Sequence, residues 1–365
     1  MRKIKVGITQ GDINGIGYEV ILKTFQNELM FDFCTPVIYG SPKVATYHSK
    51  AMDIQTNFVV KESGADAEDN VLNIVNCFGE ADLKVDLGKP TTDAGNAAFV
   101  SLEKSLEELS NGHIDVLVTA PINKNSIQCE GFAFPGHTEY IEQRLGDGDK
   151  SLMILANETL RVALVTTHLP VSKISESITK ELINEKLEIL NISLKKDFSI
   201  DNPRIAVLSL NPHCGDDGLL GTEEKNIIIP AIEEMTARGI KCFGPYSADG
   251  FFGSGTFKLF DAILAMYHDQ GLAPFKALAM DEGINFTAGL PVVRTSPAHG
   301  TAYDIAGKGI ADESSFRQAI YSAIDIVRNR ARYESSHSHP LKKQYYEKRD
   351  DSDKLKLDQV NDDEF

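Results

Sequence analysis

The chain has 365 residues, 42% hydrophobic and 25% charged, enough for one large or two ordinary α/β domains around a substantial core. Its formal net charge of -16 repels phosphate backbones and anionic lipid, which argues against nucleic acid and membrane as partners; a phosphate-bearing ligand would need a locally basic site. No apolar run reaches bilayer length, the opening MRKIKVGITQGD reads as a first strand rather than a signal peptide, and five scattered cysteines without a CxxC pair point to reduced thiols in a cytoplasmic protein.

Short β-branched runs alternate with longer helical periods. Residues 5–9 predict a strand, followed by a Gly-rich turn and a helix over 17–27. A second strand falls at 37–39. Residues 94–111 have helical spacing, with Phe99, Leu102, Leu106 and Leu109 on one face and Gly112 as the stop. Strands follow at 115–119, 152–155 and 162–166, then a helix at 180–196 and a strand at 204–210. A helix is expected over 223–238, capped by Thr222 and ended by Gly239. A strand at 262–266 and an amphipathic helix at 315–332 complete the pattern, which predicts an α/β fold with a buried, mostly parallel sheet. From Glu334 the chain is nearly free of apolar residues and reads as a loose, charged tail, whose His337 and His339 are expected to be solvated.

Three strands end in histidine: VALVTTHLP, IAVLSLNPHCG and AILAMYHDQG, giving His168, His213 and His268. Ligands bind beyond the carboxyl ends of strands in open α/β sheets. If these strands are parallel neighbours, three imidazoles converge and leave open positions on a divalent cation. Read singly, each histidine is an ordinary polar strand terminus; their equivalent placement favours a site. Asp269, directly after His268, and Asp249, in SADGFFG, are either carboxylates that orient an imidazole or solvated loop acids.

The turn GDINGIG after the first strand offers glycines and a helix start to an anion, but it lacks GxGxxG spacing. The stretch SPAHGTAYDIAGKGIAD, 296–312, resembles the adenosine-binding loop of the isocitrate and isopropylmalate dehydrogenase superfamily, and GDINGIGYEV resembles that superfamily's opening motif. The resemblance implies NAD, with NADP as the alternative, held by His299, Gly300, Thr301, Ala302 and Asp304. It also implies two α/β/α domains with largely parallel sheets and the active site in the cleft between them. The boundaries expected are 1–130 with 285–335 on the cofactor side, 131–284 for metal and dimerisation, and 336–365 as tail.

The stretches TAPINK, FPGHTEY, RVALVTTHLP, LNPHCGDDG, LGTEE, AMYHDQGL and INFTAGLPVVRTSPAHGTA together resemble the 4-hydroxythreonine-4-phosphate dehydrogenase family over about residues 4–332. This implies metal-assisted oxidation of 4-phosphohydroxy-L-threonine in vitamin B6 synthesis, by a homodimer whose active site lies at the subunit interface. It implies a cation (zinc, magnesium, manganese or cobalt) on His168, His213 and His268, with ligands from both chains. Substrate would be held by His137, Thr138, Lys276, Asn285 and Arg294. Lys276 and Arg294 also read, by themselves, as cations in Gly/Pro-rich loops suited to phosphate or carboxylate. The general base is open among Lys124, Asp249, Asp269 and a metal-bound water. Tyr18 and Asn14 depart from the family pattern. Rival readings are a 4-phospho-D-threonate or D-erythronate dehydrogenase, a phosphate acyltransferase, and a non-catalytic binding module.

Overall fold

Valine, isoleucine and leucine crowd the runs that become strands, and helices with one apolar stripe cover them. In the helix Lys180–Lys196, Ile183, Leu187, Leu190 and Leu194 face inward at helical spacing and are fully buried. Each such side chain contributes about 1.5–3 kcal/mol when removed from water. The Thr179 hydroxyl accepts from Leu182 N at the start of this helix, and Lys195 and Lys196 lie in its last turn.

The computed structural model describes residues 2–129 and 131–338. Its strands are β1 Ile4–Thr9, β2 Cys34–Gly40, β3 Phe58–Lys61, β4 Leu72–Asn76, β5 Val116–Thr119, β6 Leu152–Ala156, β7 Arg161–Leu164, β8 Ile205–Leu208, β9 Cys242–Tyr246, β10 Ala262–Ala265, β11 Ile284–Ala288 and β12 Arg294–Pro297. They form one twelve-stranded sheet in the order β3-β4-β2-β1-β5-β12-β11-β6-β7-β10-β8-β9. Strands β3 to β12 in that order are parallel, as are β7, β10, β8 and β9. Between them β12–β11, β11–β6 and β6–β7 pair antiparallel, so the two parallel blocks run in opposite directions.

The two faces of the sheet differ. One carries a single continuous core that includes Val6, Val116, Ile154, Val207 and Phe286. The other carries two separate cores, one around Val37, Leu117 and Tyr140 and one around Leu155, Leu164 and Phe275. In β11 the alternation is clean: Ile284, Phe286 and Ala288 belong to the continuous core, while Asn285 and Thr287 point the other way. Polar side chains of the central strands therefore floor the gap between the two smaller cores.

The predicted helix over 223–238 starts differently. Glu224–Ile228 is a π-helical turn, the α-helix covers Ile229–Ala237, and no side-chain cap from Thr222 forms. Pro230 lacks an N–H and its ring crowds the carbonyl one turn back, which favours the wider turn. Residues 334–338, expected as loose tail, continue the helix Ser314–Ser338, where Lys196 pairs with Glu334 and His337 stacks on Tyr333. His339 and the rest of the tail lie outside the described residues. Strands β3, β4, β9, β11 and β12 and the helices His137–Leu145 and His268–Ala279 were not apparent from periodicity.

Candidate active site

A cleft of about 220 Å³ opens over the polar strip. Its floor comes from Thr119 at the end of β5, Arg294 and Ser296 on β12, Asn285 on β11, and Met153 and Leu155 on β6. Its walls come from Lys124, the start of the helix His137–Leu145, His168 beyond β7, the helix His268–Ala279, and His299 with Gly300 beyond β12. Gly95 seats the Lys124 loop: a Cβ there would lie 1.8 Å from the Ser126 carbonyl oxygen, so only glycine lets the helix Thr92–Ser110 approach this closely.

Arg294 is buried on a strand, not in a Gly/Pro-rich loop as expected. Its Nε donates to Thr119 Oγ1 at 3.0 Å, Nη1 to Thr287 Oγ1 at 3.3 Å, and Nη2 to His137 Nδ1 at 3.1 Å. Among the described residues no carboxylate lies within ion-pair distance of it. Burial lowers its pKa to about 10, against the opposing charge of Glu139. Because Nδ1 of His137 accepts from a guanidinium, its hydrogen sits on Nε2, which is buried and unpartnered. Burial, then Arg294 and Lys124, hold the His137 pKa well below the usual histidine value, so the ring stays neutral. Thr138 Oγ1 lies 3.4 Å from Thr287 Oγ1. Lys276, also expected in a loop, is exposed on the helix His268–Ala279 at the cleft rim. Asn285 Oδ1, Glu139 Oε2 and His299 Nε2 are buried without partners. Four orphaned polar atoms, with three cations nearby, form a locally basic pocket inside an acidic protein.

His168 and His268 meet here, with ring centroids 5.9 Å apart. Lys124 Nζ donates to His168 Nε2 at 2.9 Å, and His168 Nδ1 lies 3.2 Å from Glu139 Oε1. Burial, then the charge of Lys276, lower the Lys124 pKa, with Glu139 opposing. For Glu139, burial pushes upward but the His168 hydrogen bond and the nearby positive charges win, so its pKa falls. Asp269 accepts from His268 Nδ1 at 2.7 Å and is itself largely exposed.

His213 does not join them within one chain. Strands β7, β10 and β8 are parallel neighbours, as the histidine argument requires. Yet the loop after β8 turns through left-handed conformations at His213, Cys214, Asp216 and Asp217. The helix His268–Ala279 then stands between: His268, Leu272 and Lys276 face the cleft, while Gln270 and Pro274 face an adjoining pocket that holds His213 and Asp249. Among the described residues, no three His, Cys, Asp or Glu side chains are grouped to hold one ion. Asp249 accepts from Ser247 Oγ at 2.7 Å.

The loop 299–304 docks on the GDING turn. Ile16 N donates to the Thr301 carbonyl, Ala302 adopts φ +44°, and the Tyr303 hydroxyl donates to Asp12 Oδ2. Asp304 is an exposed turn residue. His299 Nδ1 donates to the Gly300 carbonyl, leaving Nε2 as an acceptor, and burial lowers the ring's pKa. Sequence reasoning missed Glu139, Thr119, Thr287 and the Asp12–Tyr303 pair. Each lies inside a motif quoted above: Thr119 in TAPINK, Glu139 in FPGHTEY, Thr287 in INFTAGLPVVRTSPAHGTA, Asp12 in GDINGIG and Tyr303 in SPAHGTAYDIAGKGIAD.

Fold and cleft together define a mixed α/β protein with a small, locally basic cleft beside paired imidazoles. The chain belongs to the family described as pyridoxal phosphate biosynthetic protein PdxA, whose profile matches residues 32–323. A relative from Bacteroides thetaiotaomicron named 4-hydroxythreonine-4-phosphate dehydrogenase is 66% identical over 361 residues, covering 99% of both chains. A relative from Oceanobacillus iheyensis, named provisionally as a D-threonate 4-phosphate dehydrogenase, is 37% identical over 89% of this chain and 98% of its own. The crystal structure of 4-hydroxythreonine-4-phosphate dehydrogenase from Klebsiella pneumoniae superposes with TM-score 0.76 at 31% identity, covering 90% of this chain and 98% of that one. No helix among the described residues is long and apolar enough to cross a membrane.

Proposed function

We propose that the chain is an NAD-dependent, divalent-cation-assisted dehydrogenase. It oxidises 4-phosphohydroxy-L-threonine to 2-amino-3-oxo-4-phosphooxybutanoate, which loses carbon dioxide to give 3-amino-2-oxopropyl phosphate. The observation that carries this reading is Arg294, a buried guanidinium without a carboxylate partner among the described residues, beside the likewise unpartnered Nε2–H of His137. An anionic group of the substrate supplies the missing charge. Thr138, Lys276 and Asn285 complete the binding set.

The donor set fits a divalent cation. His168 and His268 each engage a carboxylate through Nδ1, which directs Nε2 outward. The third ligand is His213 of a second copy of the chain. Exposed apolar side chains on the loops bearing these histidines, Val171 at 83% and Leu219 at 80% exposure, favour such a homodimer. Imidazole donors favour zinc or cobalt over magnesium or manganese. When bound, the cation would polarise the substrate hydroxyl and the nicotinamide, seated against residues 299–304, would take the hydride. Lys124, with its lowered pKa, can hold or release a proton at Nζ; Asp269 is next to His268, and Asp249 lies on the His213 pocket. In this reading 1–130 with 285–335 forms the cofactor side and 131–284 the metal and dimerisation side.

The test is NADH absorbance on adding 4-phosphohydroxy-L-threonine, with and without EDTA, and with 4-phospho-D-threonate and 4-phospho-D-erythronate as competitors. NADH formation that EDTA abolishes supports the reading. No NADH with any of the three acids overturns it.

A further inference from the structure

Glu139 sits in the first turn of the helix His137–Leu145, with Oε1 3.2 Å from His168 Nδ1. On the other side of the ring, Nε2 lies 2.9 Å from Lys124 Nζ. A carboxylate only accepts, so Nδ1 carries the ring hydrogen and donates it to Glu139, and with Lys124 charged its ammonium, which has no lone pair, donates to Nε2. The two contacts, made by residues from separate stretches of the chain, select the same tautomer. That tautomer presents an Nε2 lone pair towards a positive charge, which is what a cation-binding imidazole requires.

We propose that Glu139 is a positioning residue that fixes His168 in the Nε2-lone-pair tautomer and thereby sets its strength as a cation ligand. This rests on the cation site proposed above. Two observations single out Glu139 over other acids near the histidines. Its carboxylate is held by a helix and only 31% exposed, whereas Asp269 beside His268 is 86% exposed, where water competes for the hydrogen bond. Its second oxygen, Oε2, is buried and has no partner among the described residues, so His168 is the side-chain partner that holds the carboxylate.

Two measurements on Glu139→Ala and Glu139→Gln test this. The first is 15N spectroscopy of ring-labelled, metal-free protein at mildly alkaline pH, with the His168 signals assigned by their loss in His168→Gln. In the wild-type chain His168 should show a protonated Nδ1 and a free Nε2. In Glu139→Ala it should move to a mixture of tautomers, and Glu139→Gln should restore some of the wild-type pattern through its amide oxygen. The second is zinc or cobalt affinity by competition with a chelator, expected to weaken roughly 10- to 100-fold in Glu139→Ala. A His168 tautomer unchanged by Glu139→Ala overturns the inference, as does a shifted tautomer with wild-type cation affinity. If the wild-type protein takes up no divalent cation, the functional reading fails instead, and the metal-free spectrum alone judges the role of Glu139.

Discussion

Tyr303 donates its hydroxyl hydrogen to Asp12 Oδ2 at 2.6 Å, joining loops that lie 291 positions apart in the chain. Asp12 Oδ1 in turn accepts from Asn14 N, and the Asn14 side chain holds the backbone at Asp86 and Lys89. Burial raises the Asp12 pKa, and the hydrogen bond from Tyr303 opposes that rise. Tyr303→Phe leaves Oδ2 buried and unpaired, which costs about 1–3 kcal/mol of stability. If the 299–304 loop seats the cofactor, the KM for NAD should rise several-fold with kcat nearly unchanged. Steady-state kinetics and urea unfolding check this; an unchanged KM removes the loop's assigned role.

Among the described residues Arg294 has three hydrogen-bond partners but no counter-charge within ion-pair distance. Its burial is a cost that a bound anion offsets. Arg294→Met should abolish substrate binding while leaving stability unchanged or higher by about 1 kcal/mol, since buried charges are often replaced by apolar groups without loss. Orthophosphate should raise the Tm of the wild-type protein, by about 2.7 kcal/mol equivalent at 100-fold excess over its Kd, and leave the variant unmoved. Equal phosphate stabilisation of both proteins would place the anion elsewhere.

His213 faces a pocket separated from His168 and His268 by a helix of the same chain. If one site takes His168 and His268 from one copy and His213 from another, His213→Ala and His168→Ala should each be inactive and lose bound metal. Mixing the two variants through unfolding and reassociation should then restore roughly a quarter of wild-type turnover, because half of randomly formed dimers carry one intact site. Failure to recover any activity contradicts a shared site.

Acid should weaken the fold in a defined window. His137, His48 and His299 all have lowered pKa values, chiefly through burial. The unfolded chain takes up protons near the ordinary histidine value of about 6.5, while these folded-state rings do not. Their contribution is therefore fully present above that value and is lost as pH falls towards the folded-state pKa values, by up to about 1.4 kcal/mol per pH unit for each ring. Urea midpoints from pH 7.5 to 5.5 should show this fall. His48 donates through Nε2 to the Ile13 carbonyl, and His48→Gln, which keeps a donor, should have a shallower slope. An identical slope would remove His48 from the account.

Much of the fold was legible because strands and helices bury apolar residues at fixed periods. The helix Lys180–Lys196 and strands β1, β5, β6, β7, β8 and β10 stand close to where alternation and capping residues put them. Strands β11 and β12 escaped because many of their side chains are polar: Asn285, Arg294 and Ser296 line the cleft, and Thr287 is buried beneath Arg294. Local pattern reads such residues as loop, since it has no knowledge of a cavity beneath them.

Strand-end position alone determined that His168, His213 and His268 each follow an apolar strand, where ligand-binding loops lie. Only the tertiary structure made those strands parallel neighbours, because sheet order has no local signature. Only the tertiary structure decided where each ring points. Left-handed turns at 213–217 and the helix beginning at His268 separate the His213 imidazole from the other two, and neither effect has a periodic signature. The same holds for Glu139 and Arg294: their partners, His168 and Thr119, are 29 and 175 positions away, and only folding brings those groups within hydrogen-bonding reach.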